Sequence, residues 1–373
     1  MDRRQFIVTG AASVAWAASG GLARAQATQP DYYPADYSQT VEGSRGEDGV
    51  LIYTNMNQST WPGIMAPFKE KYPWINVEVL ELGGGEVMER YLAEKGSGVR
   101  TADYMLTVSP VGWLNLVDRG EIEDYASPET AQLPGWANPA PGVYAVSIDP
   151  VMNLWNTALA GEDMRPKSFA EVVEVVRANK DKLKGKLATH SPYLDSFAFS
   201  SHFALQKHHG EQYWQWLEEI GPLTIGERST TPTVEKTATG EYMLGYVLSA
   251  SPALRGFDGP AQAQLLGWSF MSDGTPMLMR GSAIAKGAAN PNGAKLVMDF
   301  ILSREGQISL AVEGGRVPAR TDITREDVNG GYTYSSIAEE VGEENLLIVA
   351  LDPDMRDNYD ALTERFRKVF AQS

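Results

Sequence analysis

Residues 49–110 read GVLIYTNMNQSTWPGIMAPFKEKYPWINVEVLELGGGEVMERYLAEKGSGVRTADYMLTVSP. The apolar run Val50, Leu51, Ile52, Tyr53 is a short strand. Behind it Trp61, Ile64, Met65 and Phe68 fall on one helical face, with Ser59 or Thr60 as cap and Pro62 in the first turn. The unit then repeats: 75–82 is strand-like, 86–95 is helical and stops at Gly96, and 103–108 is a strand whose following helix is capped by Ser109 and Pro110. Strands alternating with helices of this length need right-handed crossovers, so the stretch predicts an α/β domain with a parallel sheet covered on both faces.

A second series of the same kind starts after 144–149. Ser168 and Glu171 form a capping box ahead of Phe169, Val172, Val173 and Val176. Residues 186–190 and 242–248 read as strands, and 196–209, 211–220 and 230–239 as helices. The stretch 249–281 is rich in Gly and Pro and reads as loop. The helix-strand alternation resumes with a strand at 282–286 and a helix from Asn290 as N-cap and Pro291 through Ser303. The chain closes on an amphipathic helix with Tyr359, Leu362, Phe366, Val369 and Phe370 on one side. Residues 28–48 have no period and read as a tether or surface strap.

The first 27 residues differ from the rest. Arg3 and Arg4 precede a weakly apolar stretch from Phe6 to Ala23, and Ala25-Gln26-Ala27 is a small-x-small cleavage site. This predicts a signal peptide, too short and too rich in Gly and Ser to span a bilayer. The paired arginines before Gln5, Phe6 and Ile7 resemble a twin-arginine export signal, although Asp2 replaces the usual Ser or Thr; general secretion stays open. The predicted location is the periplasm.

Composition narrows the function. The chain has 373 residues, 43% hydrophobic and 21% charged, room for two domains. It has no cysteine and four histidines, which removes disulfides, thiol nucleophiles and Cys-ligated metal. A formal charge of -16 disfavours nucleic acid and anionic membrane as partners.

In open α/β sheets, ligands bind beyond the carboxyl ends of the strands, where helix N-termini present free N–H groups. Those places are rich here in small hydrogen-bonding residues: Thr54, Asn55, Asn57 and Gln58 after the first strand, Gly84 and Gly85 after the second, Ser109 after the third. The second series offers Asp195 and Ser196, then Thr230 and Thr231, then Ser249. Tyr144 and Tyr246, on the strands of the crossing and of the second series, complete the candidates. Two such half-sites facing one another would wrap a small polar solute and favour an anion. Taken singly, each of these residues is an ordinary cap or turn residue.

Other constellations carry less. The glycines at 83–85 lack dinucleotide-loop spacing, and GxxxxGK[ST], GxSxG, SxxK and HExxH are all missing. Asp352, Asp354 and Asp357 faintly resemble a calcium loop, but Pro353 intrudes and the sixth place holds no Gly. His202, His208 and His209 read as packed or surface residues on one helix. No cofactor, metal site or catalytic pair is expected.

Several runs together resemble periplasmic solute-binding proteins of ABC importers, the group serving ferric iron, 2-aminoethylphosphonate and related solutes. They are LIYTN (51–55), GEVMERYLAE (85–94) with Ala102-Asp103, NLWNT (153–157), GEYMLGY (240–246), DGTP (273–276), GSAIAKGAANPN (281–292) and DFILSREGQ (299–307). The resemblance implies a two-lobe type II clamshell, each lobe a mixed, mostly parallel sheet flanked by helices. Lobe 1 would comprise 49–147 and 271–325, lobe 2 148–270 and 326–373. It also implies a monomer that closes on a solute and delivers it to an inner-membrane permease and its ATPase.

Iron-binding members carry adjacent tyrosines just after the strand that here ends near Leu248, and this chain has Ser249-Ala250-Ser251 there. An organic phosphonate, phosphate or carboxylate is therefore expected ahead of ferric iron. Arg280, at the second crossing, is the first cation expected to meet it, with Arg228 and Arg255 as alternatives. An exported enzyme using the same cleft is the reading from another class, and a ligand sensor a third.

Overall fold

The computed structural model describes residues 30–370, so the export signal read in residues 1–27 lies outside the described residues. Residues 30–33, described apart from the unit that begins at Pro34, form a turn closed by the Tyr33 N–H on the Pro30 carbonyl (3.0 Å).

From Pro34 onward the described strands are β1 (Val50–Thr54), β2 (Val77–Glu81), β3 (Tyr104–Thr107), β4 (Tyr144–Asn156), β5 (Leu187–His190), β6 (Thr224–Glu227), β7 (Leu244–Ser249), β8 (Leu266–Ser269), β9 (Thr275–Ile284), β10 (Val317–Pro318) and β11 (Leu346–Val349). They pair in the order β2-β1-β3-β9-β4-β7-β5-β6. The β2-β1-β3 and β6-β5-β7 groups are parallel, as the alternating pattern predicts; β9 and β4 join them antiparallel. The result is a mixed sheet flanked by helices on either side of a shared strand.

That shared strand is β4. All thirteen of its residues are buried. Residues from Tyr144 to Pro150 pair with β9, and those from Val151 to Trp155 pair with β7, so one strand serves both lobes. Just past the crossing the β4–β7 register shifts between Met152 and Leu154, and Val247 opposite adopts a left-handed backbone (φ 51°), a strained choice for a β-branched residue.

The loop predicted over 249–281 is largely ordered: it holds β8, the short helices Ser251–Leu254 and Pro260–Leu265, and most of β9. Two of its glycines serve close approach inside strands. A Cβ at Gly267 would stand 2.1 Å from Trp155 Nε1, and one at Gly281 2.4 Å from Trp113 Nε1. Strand glycines that make room for an indole are indistinguishable in sequence from loop glycines. The helix after β1 is also broken, into Trp61–Ile64 and Ala66–Lys71, and Asn57 caps the 3-10 turn Gln58–Thr60 ahead of it.

Each half has its own core. Tyr53, Val87, Met88, Tyr91 and Trp113 pack around the first parallel group. Phe169, Val172, Val176, Tyr213, Trp214 and Leu217 pack around the second, joined by Phe366 and Val369 of the closing helix Tyr359–Phe370. Fully burying one such aliphatic or aromatic side chain stabilises by about 1.5–3 kcal/mol. Ser168 caps the helix Phe169–Ala178 through the Glu171 N–H (3.0 Å), but the Glu171 carboxylate reaches back to Lys167 N (2.6 Å) rather than to Ser168 N, so only half of the predicted box forms. The same helix end also donates from Phe169 N (2.8 Å) and Ala170 N (2.9 Å) to the Asp273 carboxylate, which ties it to the turn ahead of β9.

The strap is anchored by a buried carboxylate. Its helix, Tyr37–Gly43, lies near the helix Pro291–Leu302, whose Asp299 accepts hydrogen bonds from Tyr37 (2.7 Å), Tyr125 (2.7 Å) and Ser127 (2.6 Å). Burial pushes the Asp299 carboxyl up to about 6 against the pull of these donors, with the Glu129 charge adding to the rise. An unfolded chain titrates an Asp near 3.9, roughly, so between the two values the folded protein binds more protons and its stability falls as pH rises. Relative to Asp299→Asn, the wild type should lose about 2 kcal/mol of unfolding free energy between about pH 4.5 and about pH 7.5 in urea titrations. A difference that does not change with pH would mean that burial does not govern this carboxyl.

Candidate functional site

Arginines gather where β4 changes partners. Arg280 on β9 stands opposite Ser147 of β4 and is buried; its guanidinium donates to the Asp149 carboxylate and to Asn55 Oδ1 at the end of β1. Arg316, immediately ahead of β10, donates to Ser251 Oγ (2.6 Å) and lies 3.5 Å from Asp149. Arg255 donates to the same Ser251 Oγ (3.1 Å). Its stem presses on Gly315, where a Cβ would meet Arg255 Cγ at 2.0 Å and φ is +60°. Two guanidinium groups, of Arg280 and Arg316, thus stand at one buried carboxylate, and an exposed third, of Arg255, meets Arg316 over Ser251.

The electrostatics follow. Burial alone would raise the Asp149 carboxyl, but Arg280 and Arg316 outweigh it and hold it below the usual range. Burial and the neighbouring Arg280 and Arg255 charges push Arg316 down to about 9, against the pull of Asp149. Arg255 is lowered as well, by burial first. The Nε atoms of Arg280 and Arg316 are buried without a hydrogen-bond partner.

A second set of contacts closes the junction between the strand ends. Ser196 Oγ, at the start of the helix Ser196–His209, donates to the Val108 carbonyl just past β3 (3.2 Å). A Cβ on Gly84 would stand 3.3 Å from that Oγ, a tight approach, and at ordinary contact distance from the Val108 carbonyl (3.4 Å) and Asn55 Nδ2 (3.5 Å). Thr107 Oγ1 holds the Gly84 carbonyl (3.1 Å). On the other side Thr230 Oγ1 accepts the Ser249 N–H (3.0 Å) and Ser249 Oγ accepts the Ser251 N–H (3.3 Å), a relay ending at the serine that two arginines share. A separate groove along the β2 edge is lined by Trp61, Met65, Phe68 and Val79 together with Gln58, Lys69 and Asn76, and holds no arginine.

Residues 63–330 match the family model for bacterial extracellular solute-binding proteins. The chain belongs to that family. Its fold is shared by the substrate-binding protein of an ABC transporter from Agrobacterium tumefaciens, with a TM-score of 0.75 at 20% identity, over 87% of this chain and 96% of that one. Two further neighbours are the periplasmic binding protein AfuA from Actinobacillus pleuropneumoniae with fructose 6-phosphate bound (TM-score 0.68, 19% identity, 87% and 99%) and the Trichodesmium protein IdiA (FutA) with iron and citrate (TM-score 0.64, 17% identity, 86% and 99%). The chain is therefore a solute-binding protein with the clamshell fold of these structures, and among its described residues no helix is long and apolar enough to cross a membrane.

In this solute-binding protein the residues picked from sequence divide into two groups. Asn55, Gly84, Ser196, Thr230, Ser249 and Arg280 take part in the contacts at the junction. The others, Gly85, Ser109 and Thr231 apart, have structural partners for their side chains. Asn57 Oδ1 accepts from Ser59 N (2.8 Å) and Oγ (2.6 Å), and Gln58 is held against β2 through the Val79 carbonyl (3.0 Å) and Glu81 (2.8 Å). Thr54 accepts the Met56 N–H (3.1 Å), and buried Ser109 stands at the start of the helix Pro110–Asp118. The Tyr144 hydroxyl binds Ser127 N, Thr130 Oγ1 and the Tyr125 carbonyl, and the Tyr246 hydroxyl is 2.9 Å from Thr224 Oγ1 inside the second core. Asp195 caps its helix through Phe197 N (2.8 Å) and Ala198 N (3.1 Å). Gly85 precedes the helix Glu86–Gly96 with open space around it, and Thr231 is exposed.

Sequence reasoning missed Asp149 and Arg316. The first had a signal, an acid inside an otherwise apolar run ahead of Pro150; Arg316 follows two glycines in a connection and had none. Among the set-aside motifs, Asp352 pairs with Lys207 (2.6 Å) and caps a short helix, and His202 is buried against the Tyr213 hydroxyl (2.6 Å). The partners of Asn57 make it a cap, so Asn57→Ala should lower unfolding free energy by about 1 kcal/mol, measured by urea denaturation, and leave solute affinity unchanged.

Proposed function

We propose that this protein captures a small anionic organic solute between its two lobes and delivers it to an inner-membrane ABC permease and its ATPase. One observation carries the reading: two largely buried guanidinium groups, Arg280 and Arg316, share the single Asp149 carboxylate where the lobes meet, which leaves one positive charge over. Buried positive charge without a matching anion is costly, and an anion entering the site relieves it. The domain division into 49–147 with 271–325 and 148–270 with 326–373 puts Asn55, Arg280 and Arg316 on one lobe and Ser196, Ser251 and Arg255 on the other. The solute would then touch both and favour the closed form.

Ferric iron suits this site poorly. The charge that attracts an anion repels a trivalent cation, and after β7 the chain offers serines where phenolates would be needed. The nearest tyrosines are engaged, Tyr242 with Glu227 (2.6 Å) and Tyr246 with Thr224. The site also favours binding over catalysis. Its arginines stay protonated at neutral pH, and Asp149, held low by two of them, is a weak base. Export by the twin-arginine route, residence in the periplasm and a monomeric state belong to the same reading.

Thermal-shift screening of the mature chain against carboxylates, phosphonates, phosphate esters, amines and Fe(III) tests it. A true solute at a hundredfold excess over its dissociation constant should stabilise by about 2.7 kcal/mol, and it should be found among the anions. Arg316→Gln, which leaves Asp149 paired with Arg280, should weaken that solute's binding by roughly tenfold to a hundredfold, measured by calorimetry. A hit confined to amines or Fe(III) would overturn the assignment.

A further inference from the structure

On the two-lobe division proposed above, residues 334–357 belong to the second lobe, yet their contacts fall on both. β11 runs along β9 beside the crossing, with Val349 opposite Leu278. Its side chains alternate between the two faces of the sheet: Leu346 and Ile348 pack with Ile148 and Met152, and Leu347 and Val349 with the core of the second half. Ahead of β11, the helix Tyr334–Val341 buries Ile337 in the first of these clusters, and Tyr334 stacks on Trp136 of the first lobe (ring centroids 6.4 Å apart, planes 26° apart). Behind it, Ala350 and Leu351 pack against the first-lobe core of Tyr53 and Trp113.

The short helix Pro353–Asp357 then takes hold of both lobes at once. Toward the second lobe, its cap Asp352 meets Lys207 (2.6 Å) and buried Met355 accepts from Ser200 Oγ (3.4 Å), both on the helix Ser196–His209. Toward the first lobe, Arg356 donates to the carboxylate of Asp118, the last residue of the helix Pro110–Asp118, while Asp357 steadies Arg356 from its own helix (3.0 Å). The two longer helices begin at the junction, where Ser196 meets the Val108 carbonyl, so the lobes are closed on each other here and the Arg356–Asp118 pair is a contact of that closed arrangement. A rotation that parts Ser196 from Val108 draws the two helices away from each other. The segment between them must then release one, and an exposed ion pair is a weaker hold than a buried Met. We infer that residues 350–357 clasp the hinge and that Arg356 is a positioning residue, which through Asp118 biases the protein toward the closed arrangement even without solute.

The chain has no cysteine, so Glu70→Cys and Asp181→Cys, at exposed positions on the first and second lobes, place one spin label on each. Pulsed electron-resonance distances on the solute-free mature chain then count closed and open molecules. In Arg356→Gln the open-to-closed ratio should rise about two- to fivefold, and in the wild type about 0.5 M salt should raise it in the same direction. Arg356→Glu should raise it further, and adding Asp118→Arg should bring it back toward the wild-type ratio, which a role confined to local folding would not do. The urea midpoint of Arg356→Gln should match that of the wild type, because the pair is exposed. Two distance populations whose ratio ignores these variants and salt would overturn the clasp and leave a two-lobe clamshell. A ratio that falls in Arg356→Gln would mean that the pair holds the lobes apart, and would overturn it as well. One unchanging distance in every variant would overturn both the clasp and the two-lobe reading on which it rests.

Discussion

The interaction on which the rest of the structure depends is the buried Asp149 carboxylate, gripped by Arg280 and approached by Arg316. It lies on β4 one residue before Pro150, where that strand leaves β9 and takes up β7. Removing one partner of a buried pair typically costs about 3–5 kcal/mol, because the survivor is left charged in a poor dielectric. The pair therefore holds β4 and β9 in register at the point where the two lobes are joined. Arg316 and Arg255 meet over Ser251 beside it, so the order that fixes the crossing also sets the charge of the cleft.

Two buried carboxylates in this chain have opposite surroundings, and their behaviour diverges accordingly. Asp299 has three hydroxyl donors and no direct cation, so burial wins and it holds its proton more tightly than a free side chain. Asp149 has guanidinium partners, so it stays ionised and leaves cationic charge over. The first fastens the helix Tyr37–Gly43 and the segment around Tyr125 to the body of the protein. The second leaves a junction short of negative charge, and that deficit is the physical basis for reading the protein as an anion carrier.

Small polar residues play two parts here that composition cannot separate. Asn57 and Asn55 are two apart in the same loop, yet one closes a turn and the other meets Arg280. Thr230 and Thr231 are adjacent, yet one accepts the Ser249 N–H and the other is exposed. A side chain at Gly84 would point at Ser196, Val108 and Asn55, while one at Gly85 beside it would point into open space. What distinguishes them is the direction each backbone presents, which is set by strands far away in sequence.

By itself the sequence determined the alternation of strands and helices, the parallel grouping within each lobe, the capping of the helix Phe169–Ala178 and the amphipathic closing helix. All of these rest on local periodicity and on caps within a few residues. It also pointed to the zone, since helix starts beyond strand ends converge in any open α/β sheet, and to Arg280. Only the tertiary structure decided that residues 275–281 are a central strand, because its one glycine, Gly281, makes room for Trp113 rather than for a turn. Only the tertiary structure brought Asp149, Ser251, Arg255, Arg280 and Arg316 together, residues up to 167 positions apart on four separate segments. Charge compensation in a buried site is a sum over neighbours in space, and no local pattern along the chain carries that sum.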